Sequence, residues 1–228
     1  MIIGKGLMAK AFEDYANYDD IVLFASGVSN SKETLKSEFL REESLLKDII
    51  NKFGNNRRII YFSTCSMYDT YSNISDYTKH KIRMESVIAE RANKYNIFRL
   101  PQVLGKNNKN QLIGFLYEKI KNKKAFEVLN IERNIIDVED VYLIASTVLK
   151  ESKKNEIINI ANIKNDKVID LVTTLEKICK EKGRYSIKNI EGDLDIDISQ
   201  IKPLILEKKI FEKKYLINRI RKYYEWFN

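Results

Sequence analysis

Tyr77 and Lys81 stand four residues apart in the stretch YTKHK, a spacing that puts both side chains on one face of a helix, one turn from each other. An ammonium beside a phenol favours the phenolate and draws its pKa down from about 10 toward neutral pH. A phenol tuned in this way gives a proton to a carbonyl oxygen as hydride arrives, or takes one from an alcohol as hydride leaves. Thr64 closes the run RRIIYFST, and the C-terminal end of such a strand is where ligands gather in open α/β sheets. Its hydroxyl is therefore expected to share the substrate oxygen with Tyr77. A Tyr-x-x-x-Lys pair alone arises readily by chance. A strand ending in Ser-Thr, a short loop, and then that pair opening a helix is much rarer.

A second chemical feature follows the first apolar pair, in Gly4-Lys5-Gly6-Leu7-Met8-Ala9. Glycines at 4 and 6 let the backbone turn tightly and approach a pyrophosphate. The helix opening at Leu7 and Met8 offers free N–H groups and a positive dipole end. The motif is weak alone and gains weight from its place between a strand and a helix. A dinucleotide fold also places an acidic residue ~20 positions on, at the end of the second strand, to hold the ribose. Here that neighbourhood is Leu23–Phe24, and Asp19 and Asp20 precede the strand instead. Either Ser26 or Ser29 holds the ribose, or the adenosine half of the pocket is reduced.

The elements that must position these groups can be read from the hydrophobic pattern. Strands are expected at Ile2–Ile3, Ile21–Ser26, Arg58–Thr64, Asn96–Leu100, Ala125–Leu129, Ile135–Val138 and Ile157–Ala161. Amphipathic helices are expected at Leu7–Tyr15, Lys32–Phe53, Tyr77–Lys94, Gln111–Asn122, Asp140–Glu151 and Val168–Lys182. Strands separated by helices of this length imply right-handed crossovers and a mostly parallel sheet. Runs such as IVLFAS look buried on both faces, as parallel strands are. The expected fold class is thus α/β: a Rossmann-like, doubly wound, mostly parallel sheet over residues 1 to about 161. A small mixed portion from about 162 to 228 follows it, closing on the basic, aromatic helix YLINRIRKYYEWFN.

Composition narrows the functional classes. A chain of 228 residues with 44% hydrophobic and 32% charged residues is ordinary globular material. No apolar run approaches the ~18 residues of a membrane span, so no membrane partner is expected. The net charge of +8 comes from lysines mixed with acids, as in KESKKNEI, which reads as solvated helix faces and not as a nucleic-acid surface. Two cysteines, Cys65 and Cys179, point to a reducing compartment, and the N-terminus lacks the pattern of a secretory signal. A cytoplasmic protein is expected. The single histidine, His80, leaves no His-rich metal site, so no metal is expected; as a helix residue His80 reads as surface or packing. Cys65 and Cys179 read as small hydrophobes.

Taken together, these segments resemble the extended branch of the short-chain dehydrogenase/reductase family, the nucleotide-sugar epimerases, dehydratases and reductases. STCSMY is similar to the family's Ser-Thr-x-x-x-Tyr segment and YTKHK to its Tyr-x-x-x-Lys, which implies catalytic roles for Thr64, Tyr77 and Lys81. FASGVSNS resembles the fourth-strand segment that lines the cofactor, implying contacts from Ala25, Ser26 and Gly27 beside Gly4, Gly6, Leu7 and Met8. FRLPQVLG resembles the segment that touches nicotinamide through Leu100 and Pro101 and substrate through Gln102 and Val103. RNIIDVEDV resembles the segment whose arginine, here Arg133, meets substrate phosphate. On this resemblance the family's second and third strands are cut out, which makes the chain a shortened member and accounts for the missing ribose acid. Cys65 and Ser66 stand where dehydratases carry an acidic pair; 4,6-dehydration is disfavoured, and Ser66 is left to face substrate.

The resemblance implies a nicotinamide cofactor, NAD(H) or NADP(H), and a nucleotide-sugar substrate. The leading expectation is a keto-sugar reductase in surface-polysaccharide synthesis. A nucleotide-sugar epimerase is the alternative within the family, and a non-catalytic Rossmann-like sensor the alternative outside it. Relatives pair through a helical interface that includes the Tyr77 helix, so a homodimer is implied.

Overall fold

The computed structural model describes residues 1–106, 111–151 and 153–225. Its first part contains β1 (Ile2–Ile3), α1 (Leu7–Ala11), β2 (Ile21–Phe24), α2 (Lys36–Phe53), β3 (Arg58–Thr64), α3 (Asp76–Arg91) and β4 (Tyr95–Leu100). Next come β5 (Gln102–Leu104), α4 (Leu112–Lys121), β6 (Ala125–Asn130), β7 (Glu132–Arg133), β8 (Ile135–Asp137), α5 (Val138–Lys150) and β9 (Glu156–Asn159). The tail adds β10 (Asp166–Lys167), α6 (Val168–Cys179), β11 (Arg184–Asn189), α7 (Lys202–Lys208) and α8 (Tyr215–Tyr224). Trp226, Phe227 and Asn228, the end of the expected last helix, lie outside the described residues.

The main sheet is parallel throughout, in the order β1-β2-β3-β4-β9. Alternation along the strands sends their side chains to two separate cores. On one face Leu23, Ile60, Phe62, Phe98 and Ile158 pack with Leu7 and Met8 of α1 and Val141, Ile144 and Ala145 of α5. On the other, Val22, Phe24, Ile59, Tyr61 and Ile97 pack with Leu46 and Ile50 of α2 and Met84 and Ile88 of α3. Helical layers cover both faces, as the continuous apolar runs require.

The strand order corrects one expectation. It runs in a single direction from β1, which is an edge strand, so the sheet does not reverse at its centre. The β1–α1–β2 and β2–α2–β3 connections step the same way across the sheet, yet α1 and α2 lie on opposite faces. Their crossovers therefore have opposite hands, and the uniformly right-handed connections expected from the alternation are not what the chain has.

The expected strands at Ala125–Leu129 and Ile135–Val138 form outside the main sheet. β6 pairs in parallel with β11, β5 in parallel with β8, and β7 antiparallel with β10. Val138 opens α5 and does not end a strand, because Asp137 caps that helix by accepting the Glu139 N–H at 2.9 Å. A third core joins α4 and β6 to α6 and α8 through Leu116, Ile120, Val128, Leu171, Leu175 and Ile220. The smaller lobe is thus drawn from two stretches of chain, one on each side of α5 and β9. Strand β11, within the portion read from sequence only as mixed, is almost entirely exposed, so burial left no alternating pattern to read.

The last helix is fastened by polar contacts at the start of α5. The Tyr215 hydroxyl donates to Asp140 at 2.6 Å and accepts from the Asp137 N–H at 2.8 Å, while Arg219 pairs with Asp140 at 3.0 Å. Tyr215→Phe leaves both buried partners short of a hydrogen bond and should cost about 2–3 kcal/mol, read as a lower urea midpoint at unchanged slope.

Candidate active site

The glycine turn is forced by contact with the next strand. Gly4 has φ of +127°, and a Cβ there would stand 2.3 Å from the Ala25 carbonyl oxygen. Only glycine fits. The Ala25 N–H donates to the Ile3 carbonyl at 2.7 Å, tying the turn to the end of β2. Gly6 is the extended residue that opens α1, with no side-chain cap, and a Cβ placed on it would meet nothing within 4 Å. Turn and helix start therefore present uncapped backbone N–H groups to open space, as a pyrophosphate requires. Leu7 and Met8 are half-buried against the first core, and Leu7 fills the space before Gly105.

Ser75 starts α3 by accepting the Thr78 N–H at 3.2 Å, which sets Tyr77 in the first turn and Lys81 in the second. Both are buried. Thr64, at the end of β3, donates to Ser66 Oγ at 2.8 Å and accepts from the Ser66 N–H at 3.0 Å. Burial pushes the Tyr77 phenol up to about 12; the Thr64 hydroxyl opposes that rise, and the Glu42 carboxylate adds to it. Thr64 thus stands between Ser66 and Tyr77, bonded to the first and beside the second. The depressed phenol expected from Lys81 is not found: burial raises it, and Lys81 is engaged with other groups.

An ammonium has three donors, and those of Lys81 are all directed at protein: Glu42 Oε1 at 3.1 Å, the Tyr61 hydroxyl at 3.0 Å and the Phe62 carbonyl at 3.5 Å. Its nitrogen lies 4.8 Å from the Tyr61 ring centre and 5.9 Å from that of Tyr77. Glu42, from the middle of α2, is fully buried and accepts four hydrogen bonds. Besides Lys81, they come from the Tyr61 hydroxyl at 2.6 Å, the Val28 N–H at 2.6 Å and His80 Nε2 at 3.1 Å. Burial alone would raise the Glu42 carboxyl, but His80, Lys81, Tyr61 and Val28 together hold it down to about 2. A Cβ on Gly27 would stand 2.6 Å from Lys81 Nζ and 2.7 Å from Glu42 Oε1, so the glycine makes room for the ion pair.

Glu42 and Tyr61 escaped the sequence reading, and His80 is buried against Phe39 and Glu42, not on the surface. One signal for Glu42 was available. It stands four and eight residues before Leu46 and Ile50, a carboxylate on the buried stripe of α2.

The remaining expected residues line the same end of the sheet in different ways. Ala25, Ser26 and Gly27 follow β2 and are half-buried, while Leu100 and Val103 give their side chains to the first core. Pro101 and Gln102 are half-buried, and the Gln102 N–H donates to the Asn134 carbonyl at 3.2 Å. Arg133 pairs with Asp69 at 2.9 Å and lies over the Tyr71 ring at 5.6 Å, on the loop between Thr64 and Tyr77. Cys65 is buried, and burial pushes its thiol up, which leaves it unreactive. A cavity of about 250 Å³ lies at the opposite end of the sheet, beside Asp20, Arg58 and Lys94, and has no part in this site.

The glycine turn fits the phosphate end of a dinucleotide, while at the nicotinamide end the Lys81 donors are already taken by protein. The open turn at Gly6 leads past the end of β2 to Lys81. At the adenosine end, no described strand lies beyond β1 to supply a ribose ligand.

This geometry defines a class, and the comparisons agree with it. The family model described as the NAD dependent epimerase/dehydratase family matches residues 2–161. The chain belongs to that family. No curated protein matches it in sequence. Among solved structures, the enzyme WbmG of Bordetella bronchiseptica, in complex with NAD and UDP, matches with a TM-score of 0.72 at 15% identity, over 98% of this chain and 80% of that one. UDP-glucuronic acid 4-epimerase from Bacillus cereus, with UDP-glucuronic acid and NAD, gives 0.71 at 17% identity, over 97% and 78%. RMD from Pseudomonas aeruginosa, complexed with NADPH, gives 0.69 at 15% identity, over 92% and 82%. At these identities the likeness is one of fold. Family membership makes this an enzyme of the short-chain dehydrogenase/reductase type that uses a nicotinamide dinucleotide, NAD(H) or NADP(H). Among the described residues no helix is long and apolar enough to cross a membrane.

The depressed Glu42 carboxyl has a consequence for stability. Its folded pKa of about 2 lies below the unfolded value of 4.5, so its contribution is complete above about pH 4.5 and is lost as pH falls toward 2. Acid titration of the unfolding free energy should show Glu42→Gln losing on the order of 3 kcal/mol less than wild type across that window.

Proposed function

We propose that the protein is a nucleotide-sugar oxidoreductase that reduces a keto sugar, in the setting of surface-polysaccharide synthesis. The observation that carries this reading is geometric: the buried Tyr77 phenol beside the Thr64 hydroxyl at the end of β3. Such a phenol keeps its proton at neutral pH and is suited to giving one to a carbonyl oxygen. An epimerase must begin by oxidising an alcohol and must retain its cofactor through a full cycle. An adenosine side with no described strand beyond β1 favours reduction, because such a cofactor is more readily exchanged than retained.

In this reading Gly4, Gly6 and the N–H groups of Leu7 and Met8 would hold the cofactor's pyrophosphate. Ala25, Ser26 and Gly27 would flank it, and Leu100, Pro101, Tyr77 and Lys81 would take its nicotinamide end. The bound nicotinamide supplies hydride. Thr64 and Tyr77 orient the substrate carbonyl, and Tyr77 donates the proton. Ser66, Gln102 and Val103 border the sugar, and Arg133 on Tyr71 is the cation we assign to its phosphate. The lobe built from α4, β6, α6, β11 and α8 encloses the nucleotide part of the substrate. It reaches the catalytic loop through Thr70, whose N–H donates to the Asp193 carbonyl at 3.0 Å. A homodimer paired through α3 fits the same reading.

Titrating the purified protein calorimetrically with NAD⁺, NADH, NADP⁺ and NADPH, then supplying keto forms of nucleotide sugars, tests the proposal. Reduced cofactor should be consumed in proportion to product. Tyr77→Phe should lower kcat by roughly 10²–10⁴-fold with cofactor affinity retained. Interconversion of sugar epimers without net consumption of cofactor would establish the epimerase instead. Failure of all four nucleotides to bind would favour a sensor.

A further inference from the structure

The cavity at the N-terminal end of the strands, away from Tyr77 and the Gly4 turn, has a volume of about 250 Å³ and four cations on its lining: Arg58, Lys94, Lys150 and Lys154. Asp20 is the one carboxylate there among the described residues. None of the three lysines makes an ion pair among the described residues, and Glu151, next to Lys150 in the chain, is taken by Lys153 at 3.7 Å.

Helix ends account for part of this charge. Helices α3 and α5 both finish at this end of the sheet, and a dipole favours a cation in the last turn. Arg91 and Lys150 already fill those places. Lys94 and Lys154 lie beyond the helices and are set by the sheet. The Asn155 N–H donates to the Tyr95 carbonyl at 2.7 Å, and the Tyr95 N–H donates to the Asn155 side chain at 3.0 Å. The two lysines just before this pair therefore enter β4 and β9 side by side. Like charges fixed on neighbouring backbone repel unless an anion lies between them.

Arg58 adds a buried charge. Its guanidinium donates to the carbonyls of Leu149, at 3.0 Å, and Lys153; it meets no carboxylate among the described residues, and its Nε has no partner. Burial lowers its pKa, and Asp20, Tyr15 and Glu156 do not make up for the water it has lost. A cation with 6% of its surface exposed and no counter-ion is costly to the fold. The same two bonds hold the segment carrying Lys150 and Lys154 over the start of β3, so this wall is already formed. Tyr15 and Tyr18 stand on the other side with their rings stacked at 4.8 Å, the second of them exposed. They offer flat apolar surface next to the cations.

We propose that this cavity is a second ligand site, for a small phosphate ester. Its phosphate lies among Lys94, Lys150 and Lys154, which serve as point charges, and its organic part lies against Tyr15 and Tyr18. The volume is below the ~300 Å³ at which pockets for drug-sized ligands begin, so a sugar phosphate suits it and a dinucleotide does not. The inference does not rest on the reductase reading, because none of these residues touches Thr64, Tyr77 or Lys81.

The test uses the full-length protein labelled with ¹⁵N-lysine. Lys94, Lys150, Lys154 and, in the glycine turn, Lys5 are each assigned by the signal lost in a single Lys→Gln variant. Ribose 5-phosphate should shift Lys94, Lys150 and Lys154 saturably, and less so as salt is added, while ribose should shift none of them. In Lys94→Gln/Lys154→Gln the affinity read at Lys150 should fall by roughly tenfold or more, for the loss of two charge-assisted contacts. Without ligand that double variant should melt no lower than wild type, since it is relieved of repulsion.

Movement at Lys5 alone would put the phosphate at the glycine turn and overturn the proposal. Equal affinity in the double variant, equal shifts with ribose, or no saturation would overturn it too. Inorganic phosphate binding as tightly as ribose 5-phosphate would remove the ester and leave a bare anion. A double variant that melts well below wild type would show that the lysines serve the fold and not a ligand.

Discussion

A carboxylate taken wholly out of water must be compensated several times over, and around Glu42 the compensation comes from separate parts of the fold. Lys81 and His80 reach it from α3, Tyr61 from β3 and the Val28 N–H from the chain after β2. Remove any one donor and the charge is left short in a low-dielectric space. Helix α2 is thereby locked in rotation and in height against α3. The same contacts fix the second turn of α3 over the end of β3, where Thr64 and Tyr77 meet. The geometry of the site and the packing of one face of the sheet thus depend on a single buried anion.

A second constraint is topological. The sheet begins at a two-residue edge strand, and α1 crosses from β1 to β2 on the face opposite to α2 and α3. An open parallel sheet normally offers its ligand crevice where the strand order reverses. Here the order does not reverse, and the Gly4 turn meets the end of β2 at the sheet's edge. The smaller lobe compensates at the other end of the site. Its segment at Asp193 and Leu194 clasps the loop between Thr64 and Tyr77 through Thr70 and Asp69. Arg133 on β7 ties the same loop through Asp69.

The physical character of Tyr77 follows from both constraints. Burial disfavours phenolate, and the nearest cation that could offset burial is already neutralised. The spacing brings the two groups to one helix face, and burial and the Glu42 contact to the lysine then set their surroundings.

The local pattern of the chain determined a good deal. Continuous apolar runs required parallel strands covered on both faces, and the Gly4 turn could be placed between a strand and a helix. Thr64, Tyr77 and Lys81 were legible because each owes its position to a strand end or a helix repeat only a few residues long. Strand β11 and the two-strand pairings of the smaller lobe were not, since exposed or very short strands leave no periodic burial to read. Glu42 lies 39 residues from Lys81, and nothing local links them. Only the packing of α2 on α3 across the end of β3 brought a carboxylate to that lysine, and with it decided the charge beside Tyr77. The hand of the first crossover was likewise settled by tertiary structure, because handedness depends on which face a helix covers and not on the residues within it.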